Sequence, residues 1–289
     1  MSMESTNMAE VAMSVLGPLQ FSVNGIDVTP TAPKQMQVLA LMALNEGQVV
    51  TASSFVDELW AERPPRSAKT TLQTYILHLR KLISNAFKDE STVVRDILLT
   101  RQGGYLLRLP MAPLDLRQFS ELSTQGRIAL SQGDPQRGSC LLRKALGFWR
   151  GPALVDVPIG SILEPKVRGL QTQQQIALEC RIEADLQIGR YDDAIVDLVT
   201  LTAQQPLNEN IHEQYMRALH LAGRRSEALG VFHRLRKNLM DELGLEPSQQ
   251  VQRTQHVVLS SASPRDDSAG HGWGAAPWAF NRHPGPSAA

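Results

Sequence analysis

Cationic, hydroxyl and amide side chains recur in one stretch of the chain, RSAKTTLQTYILHLRKLI at positions 66–83. The apolar residues between them follow three- and four-residue steps: Leu72, Tyr75, Ile76, Leu79, Leu82 and Ile83. Such steps predict an amphipathic helix, which Pro64-Pro65 separates from the preceding segment and which Ser67 can cap. The side opposite the apolar stripe carries hydrogen-bond donors and no carboxylate, so it is suited to binding anionic oxygens.

The charge of this stretch differs from that of the whole chain. Positions 63–81 hold five Lys or Arg and no Asp or Glu, although the chain has 29 residues of each sign. One interpretation is a solvated helix face. The other is a helix in the major groove of duplex DNA, where polar side chains bond phosphates and base edges and Leu77 contacts a thymine methyl group. This second interpretation assigns to DNA binding Arg66, Ser67, Lys69, Thr70, Gln73, Thr74, Leu77, His78 and Lys81.

The segments before this helix predict a small sheet and two further helices. Residues 12–23 are rich in β-forming residues, and Asn24-Gly25 after them is a strong hairpin signal. Residues 34–44 are apolar on almost every side, as a helix at the centre of a small domain would be. A short strand at 49–50 and a helix over 54–60 follow.

A hairpin is predicted after the basic helix. Residues 93–100 and 105–109 are rich in β-forming residues and are joined by a four-residue turn, RQGG, with Arg101 and Gly103 at its tip. An Arg at such a tip can reach the adjoining backbone or the narrow minor groove. Sheet, three helices and hairpin, in this order, predict a winged helix-turn-helix domain over residues 12–110, which favours the DNA-binding interpretation.

Some polar residues in this region are expected to have other roles. Arg63, Arg66 and Arg80 suit phosphate or a polymerase better than base edges. For His78, a DNA contact and a plain surface position both remain open.

The second half of the chain has a different pattern. A proline-bounded hinge is predicted at 110–113, and residues 114–259 read as helices throughout. GRYDDAI at 189–195 and GRRSEAL at 223–229 share Gly-Arg, an acid, Ala and an aliphatic residue at a separation of 34, the tetratricopeptide period. Gly133-Asp134 is expected to form an earlier turn of the same kind.

Length and composition limit the classes of protein that are possible. At 289 residues the chain can form two ordinary domains, and its neutral charge excludes coating of nucleic acid by bulk electrostatics. Neither a secretory signal nor a membrane span is predicted, so we expect a cytoplasmic protein. Residues 1–11 and 260–289 are predicted to be disordered, and Trp273 and Trp278 could form a short docking motif within the second of these segments.

Several other polar residues receive structural interpretations. Cys140 and Cys180 lie among apolar helical residues and are expected to be buried free thiols. His212 and His220 lack a third ligand, so partly buried histidines are favoured over a metal site. Charged residues at 181–185 and 224–227 are expected to form solvated helix faces.

The two halves together resemble the Streptomyces antibiotic regulatory protein family. Members combine an OmpR-type winged helix with an all-α, tetratricopeptide-like bacterial transcriptional activation domain, here residues 114–259. The resemblance covers about residues 12–259 and rests on LGPL at 16–19, TLQTY at 71–75, LRKL at 79–82, GGYL at 103–106, Asp115 with Phe119, WRG at 149–151, Gly189-Arg190 and DELGLEP at 241–247.

The resemblance implies a fold that is mainly α with a small β component, and a transcriptional activator of a secondary-metabolite, antibiotic gene cluster. Family members bind direct repeats near the −35 element as side-by-side protomers. They recruit RNA polymerase holoenzyme through sigma region 4, the alpha C-terminal domain and beta subunits. We expect the small form of the family, without cofactor, ATPase or receiver domain.

An enzyme and a scaffold are the alternative classes. The chain has no phosphate-binding Gly-x4-Gly-Lys-Ser/Thr, no His-Glu-x-x-His, no Gly-x-Ser-x-Gly and no dinucleotide fingerprint, so no catalytic residues are predicted. A scaffold would bind a peptide or small molecule on its helical repeats and use the winged helix for protein contact.

Overall fold

The computed structural model describes residues 11–87, 97–109 and 114–260, which form six strands and ten helices. The strands are β1 Val11–Ser14, β2 Gln20–Val23, β3 Ile26–Asp27, β4 Val49–Thr51, β5 Leu98–Arg101 and β6 Gly104–Leu107. The helices are α1 Pro33–Ala43, α2 Ala52–Trp60, α3 Ala68–Ala86, α4 Asp115–Ser131, α5 Pro135–Leu146, α6 Leu163–Gln187, α7 Tyr191–Gln204, α8 Glu209–Leu221, α9 Arg225–Leu243 and α10 Gln249–Ser260. The predicted fold class, mainly α with a small β component, is confirmed.

The chain opens with the predicted antiparallel sheet, in the order β1-β2-β3. Val11 pairs with Val23, and Val23 pairs in turn with Ile26 across a two-residue turn. Asn24 and Gly25 both have positive φ (52° and 75°), as the tight turn of a hairpin requires. The Asn-Gly signal therefore predicted the turn correctly.

Three helices follow, and they pack on one another. α1 is buried from Gln37 to Ala43, because its apolar residues surround the helix rather than forming a stripe. α2 begins after Thr51, whose Oγ1 accepts the Ser54 N–H (3.1 Å) as an N-cap. Ser67 precedes α3, but its side chain makes no cap hydrogen bond, so the predicted cap is wrong.

The described chain divides into two compact units. The first comprises residues up to 125 together with 141–178, and the second comprises 126–140 with the residues from 179 onward. Residues 114–125 therefore share a unit with the winged helix. The predicted hinge at 110–113 and the predicted disordered ends at 1–10 and 261–289 lie outside the described residues.

Two residues that were predicted to lie in the disordered ends belong to regular elements. Val11 belongs to β1 and is only 5% exposed, and Ser260 is the last residue of α10. Both residues continue the regular hydrogen bonding of their element.

The repeat turns in the second unit share one geometry. Gly133, Gly189 and Gly223 all have φ between 77° and 80°, the left-handed region that favours glycine. The next residue donates its N–H to the carbonyl five positions back: Asp134 to Ala129 (2.9 Å), Arg190 to Asp185 (2.8 Å) and Arg224 to Leu219 (2.7 Å). This is the helix-ending Schellman pattern, and it confirms that Gly133-Asp134 is a turn of the same kind.

A small residue follows each turn glycine by five positions. Ala194 and Ala228 are fully buried, and Gly138 takes the equivalent place. A Cβ atom on Gly138 would lie 2.6 Å from Leu130 Cδ2, so glycine at this position leaves room for the Leu130 side chain. These positions allow paired helices to approach closely.

Buried ion pairs join the helices of the second unit. Arg181 pairs with Asp185 (3.3 Å) and with Asp197, and Ser139 Oγ donates to Asp185 Oδ1 at 2.5 Å. Arg181, Glu183 and Asp185 are 6%, 3% and 0% exposed, so the predicted solvated face at 181–185 is wrong. Along α6 these charged residues alternate with apolar ones, so the sequence does not show that the segment is buried on several sides.

A second cluster centres on Arg217. Its guanidinium binds both Glu183 oxygens (2.8 and 3.1 Å) and lies 3.9 Å from Glu213 Oε2. Thr254 Oγ1 donates to Glu213 Oε1 (2.9 Å), and burial raises the pKa of the Glu213 carboxyl. By contrast Arg224 and Glu227 are exposed, as predicted.

The cysteines and histidines of the second half of the chain differ in burial. Cys140 is exposed and Cys180 is half-buried, so the prediction of two buried thiols is wrong. His212 and His220 are both buried, and this desolvation lowers their pKa values. Among the described residues no three His, Cys, Asp or Glu side chains are grouped so as to hold a metal ion.

The helices within the described residues include none with an apolar stretch that could span a membrane.

Candidate nucleic-acid interface

The buried and exposed sides of α3 separate as its sequence predicts. Leu72, Ile76, Leu79 and Ile83 are at most 2% exposed and fix the helix to the winged-helix core. Tyr75 and Leu82, also predicted to face inward, are half-buried. The nine side chains in and before α3 that were predicted to bind DNA are all exposed: Arg66, Ser67, Lys69, Thr70, Gln73, Thr74, Leu77, His78 and Lys81.

The exposed face is cationic, and no carboxylate of residues 11–87, 97–109 or 114–260 neutralises it. Arg66, Lys69, Lys81 and Arg101 form no ion pair with a carboxylate in the part of the chain that the structure describes. Leu77 adds an apolar spot, with 53% of its surface exposed. A face that offers cations, hydroxyls and one apolar contact is suited to phosphate oxygens and base edges.

The hairpin next to α3 turns more tightly than predicted. Arg101 pairs directly with Gly104, so Gln102 and Gly103 alone form the turn, where a four-residue turn was expected. Gly103 has φ of +82°, which explains why glycine is required there. Arg101 and Gly103 are both exposed at the tip.

Two backbone contacts hold this hairpin against β4 and the start of α2. β6 pairs with β4, where a Cβ atom on Gly104 would lie 2.0 Å from the Val50 carbonyl oxygen, so only glycine fits. The Gly103 carbonyl accepts the Ala52 N–H (2.9 Å) at the start of α2. The hairpin tip is therefore attached to the helix that precedes the basic helix.

Arg80 attaches the hairpin to α3. Its guanidinium donates to the Leu98 carbonyl through Nε (3.2 Å) and Nη2 (2.9 Å), and Nη2 also donates to Thr100 Oγ1 (2.9 Å). The sequence favoured a contact of Arg80 with phosphate or a polymerase, but the structure shows that its Nε and Nη2 donate to β5. Sequence spacing could not show this, because the partner strand is about twenty residues away.

His78 has a partner inside the protein. Its Nδ1 donates to Gln35 Oε1 on α1 (2.6 Å), which orients the ring and leaves Nε2 for a further contact. Thr74 Oγ1 donates to the Thr70 carbonyl (3.0 Å), which leaves its oxygen as an acceptor on the exposed face.

Two buried carboxylates make contacts that the sequence did not predict. Asp115 accepts the backbone N–H groups of Val15 and Leu16 (both 2.9 Å), beside β1, and burial raises the pKa of its carboxyl. Glu58 is 3% exposed and accepts backbone N–H groups at the start of α6. The available signal was an acid between Phe55 and Leu59 on the apolar side of α2.

Known proteins match both parts of this architecture. Residues 27–107 match the family model for the C-terminal domain of transcriptional regulatory proteins, and residues 114–259 match the bacterial transcriptional activator domain. The chain is 43% identical to the regulatory protein DnrI of Streptomyces peucetius over 248 residues, which cover 86% of this chain and 91% of DnrI. It is 32% identical to the regulatory protein AfsR of Streptomyces griseus over 260 residues, which cover 89% of this chain and 26% of AfsR.

One solved structure has the same fold. EmbR of Mycobacterium tuberculosis, in complex with a low-affinity phosphopeptide, superposes with a TM-score of 0.80 at 32% identity and covers 87% of this chain and 65% of the EmbR chain. Since both domain models match in this order and the chain spans most of DnrI, it belongs to the Streptomyces antibiotic regulatory protein family and is a transcriptional regulator, with an OmpR-type winged helix and a bacterial transcriptional activator domain, rather than an enzyme.

Proposed function

We propose that this chain is a sequence-specific DNA-binding activator of a secondary-metabolite, antibiotic gene cluster. α3 lies in the major groove of the promoter, and Arg101 at the hairpin tip reaches the adjoining backbone or minor groove. The observation that carries this proposal is the exposed face of α3. It offers hydroxyls and cations, carries no carboxylate of its own, and its cations form no ion pair with any acid among the described residues. Similarity to DnrI supports the link to antibiotic gene clusters.

The exposed residues divide by chemistry into two roles. Lys69, Lys81, Arg66 and Arg101 neutralise phosphates, and this contribution falls steeply with salt. Thr70, Gln73, Thr74 and His78 contact base edges, Leu77 contacts a thymine methyl group, and Ser67 and the Gly103 backbone lie beside the duplex. The domain that does this extends over residues 12–110, and residues 114–259 form the activation domain.

The promoter complex contains two protomers and the polymerase. Direct repeats near the −35 element place the protomers side by side and head to tail, unlike the two-fold contact that palindromes require. RNA polymerase holoenzyme is recruited through sigma region 4, the alpha C-terminal domain and beta subunits. The family resemblance supports each of these partners, and a protein with these partners acts on the nucleoid in the cytoplasm.

Promoter binding tests this proposal. Mobility-shift titrations use each promoter of the chain's own gene cluster and a scrambled duplex of the same length, and footprinting with and without holoenzyme follows on the promoter that binds. We expect preference for at least one promoter, protection of two tandem sites, and an extended footprint when holoenzyme is added. Equal affinity for promoter and scrambled DNA would contradict the proposal and favour the scaffold.

A further inference from the structure

Glu58 is a buried carboxylate on the inner side of α2, with all its hydrogen bonds made inside the protein. Its Oε1 accepts the Gly160 N–H (2.7 Å), and its Oε2 accepts those of Ile162 (2.8 Å) and Leu163 (2.9 Å). Leu163 is the first residue of α6, and the first N–H groups of a helix have no partner within it. Glu58 therefore caps a helix that begins 105 residues further along the chain.

The same residue is joined to α1. Gln37 Nε2 donates to Glu58 Oε1 (2.8 Å) and to the Glu58 carbonyl (2.9 Å), and Gln37 is 2% exposed. Lys34, also on α1, donates from Nζ to the carbonyl of Leu59, the residue that follows Glu58. Because α3 packs on both α1 and α2, the helix with the exposed cationic face rests on the two helices that meet at Glu58.

The approach of the two segments is too close for a side chain. A Cβ atom on Gly160 would lie 2.3 Å from the Glu58 carbonyl oxygen and 2.8 Å from its carboxylate. Gly160 therefore allows the backbone before α6 to reach the Glu58 carboxylate. Both partners belong to the first compact unit.

These contacts connect the two family models. Glu58 lies in the part matched by the regulatory C-terminal model, whereas Gly160 to Leu163 lie in the part matched by the activator-domain model. The segment that begins α6 thus completes the support of the winged helix. An uncapped α6 end or an unpaired buried carboxylate would each be costly, so the contact favours one position of α2.

We propose that Glu58 is a positioning residue for DNA binding: by holding the first turn of α6 it keeps α1 and α2, and through them α3, in the geometry that reads DNA. This inference rests on the proposed function of α3. Coupling is reciprocal, so DNA on α3 must in turn stabilise the contact between Glu58 and α6.

Two variants break the contact from opposite sides. Glu58→Gln preserves the shape but turns one acceptor into an N–H donor that faces the donors of α6. Gly160→Ala places a methyl group against the Glu58 carbonyl. Asp57→Asn is the matched control, because it removes the same charge from the neighbouring, exposed position of α2.

Hydrogen exchange of the full-length protein is measured first without DNA, at a temperature where every variant is folded by circular dichroism. We expect faster exchange of the α3 amides in Glu58→Gln and Gly160→Ala, and unchanged exchange in Asp57→Asn. If α3 exchanges at the wild-type rate in both variants, the inference is overturned, whatever the protein binds.

DNA binding gives the second readout. We expect the ratio of affinities for promoter and scrambled DNA to fall about tenfold in both variants and to stay within about twofold in Asp57→Asn. Loss of thermal stability with an unchanged ratio would mean a purely structural role and would overturn the inference. In the wild type, promoter DNA should slow exchange of the Ile162 and Leu163 amides. Failure of wild-type protein to prefer any promoter would contradict the proposed function, while the DNA-free exchange would still decide the role of Glu58.

Discussion

Thr74 presents its hydroxyl on the exposed face of α3 while donating to the Thr70 carbonyl at 3.0 Å. The hydrogen bond within the helix holds the side chain in one orientation, with the oxygen free to accept from a base edge. In the proposed complex, cationic neighbours that neutralise phosphates supply affinity for any sequence, and hydroxyl and amide groups on base edges supply discrimination. The proposal therefore assigns overall affinity and sequence preference largely to different side chains.

Thr74→Ala should lower discrimination more than overall affinity. We expect the free-energy gap between promoter and scrambled DNA to narrow by about 1–3 kcal/mol, the usual value of one good base contact. Fluorescence-anisotropy titrations on both duplexes at one salt concentration measure this gap.

The matched control is Thr172→Ala on α6. Thr172 is also exposed and also donates to the carbonyl four residues back, that of Arg168, at 3.0 Å. Thr172→Ala should leave the affinities for promoter and scrambled DNA unchanged. Equal weakening on both duplexes by Thr74→Ala would show that this hydroxyl does not read sequence.

In the proposed complex, the hairpin can contribute to DNA binding only if it is held beside α3. Arg80 provides this attachment by three hydrogen bonds to Leu98 and Thr100, and the backbone of Gly103 and Gly104 ties the same hairpin to α2 and β4. The hairpin and its glycines could be predicted from sequence because they are local. The role of Arg80 could not, because it depends on which strand lies beside the helix.

A double-mutant cycle tests the attachment. Arg101→Ala should cost about 1 kcal/mol of DNA-binding free energy in the wild type, and less than half of that when Arg80 is already Ala. The reason is that a detached hairpin no longer places Arg101 on the duplex. Arg108→Ala, which removes another exposed cation near the sheet, is the control background and should leave the effect of Arg101→Ala whole.

If Arg101→Ala costs the same DNA-binding free energy in the Arg80→Ala background as in the wild type, Arg80 does not position the hairpin tip. Circular dichroism at the temperature of the titrations shows that all variants are folded.

The helices of the second unit are joined by buried charge rather than by apolar contacts alone. Arg217 holds two carboxylates, Glu183 and Glu213, which are 4% and 6% exposed as side chains. Removing one partner of such a cluster leaves uncompensated buried charge. Part of this network was predicted to lie in solvent, because the spacing of charged residues along a helix does not show whether their face is buried or exposed.

Arg217→Ala should lower the free energy of unfolding by about 3–5 kcal/mol, measured by urea denaturation. Arg224→Ala, which removes an equally well-formed but exposed pair with Glu227, should change stability little. Similar effects of the two substitutions would contradict the importance of the buried cluster.

For the whole molecule, buried ionisable groups make stability depend on pH. Burial holds the pKa values of His212 and His220 below 6.5, whereas the unfolded chain takes up these protons near that value. Their contribution to stability is therefore complete above about pH 6.5 and is lost as pH falls through the folded pKa. Asp115 and Glu213 have raised pKa values and act with the opposite sign, since their contribution declines as pH rises through the folded pKa.

Replacing one histidine isolates its share. When the pH falls from 7.5 to 5.5, the free energy of unfolding should decrease more in the wild type than in His212→Gln. The difference should be up to about 1.4 kcal/mol for each unit by which folding lowers the pKa of His212. Urea denaturation at both pH values measures the difference. His233→Gln, at an exposed position, should keep the wild-type pH dependence. A wild-type pH dependence in His212→Gln would contradict the assignment.

Local patterns predicted the winged helix and the repeat turns well. The Asn24-Gly25 turn, the buried α1 and the exposed face of α3 each follow from residues close in sequence. Contacts over about a hundred residues, such as Glu58 with Leu163 and Asp115 with Val15, could not be predicted, because an acid in an amphipathic helix does not reveal its distant partner.

We propose that the exposed face of α3 recognises promoter DNA. Measuring the affinity of the wild type and of the Lys69→Ala/Thr74→Ala double variant for the promoter and for scrambled DNA, across a series of salt concentrations, tests this. We expect the double variant to bind the promoter more weakly, to have a shallower salt dependence by about one phosphate contact, and to discriminate less. Wild-type affinity, salt dependence and discrimination in the double variant would contradict this claim.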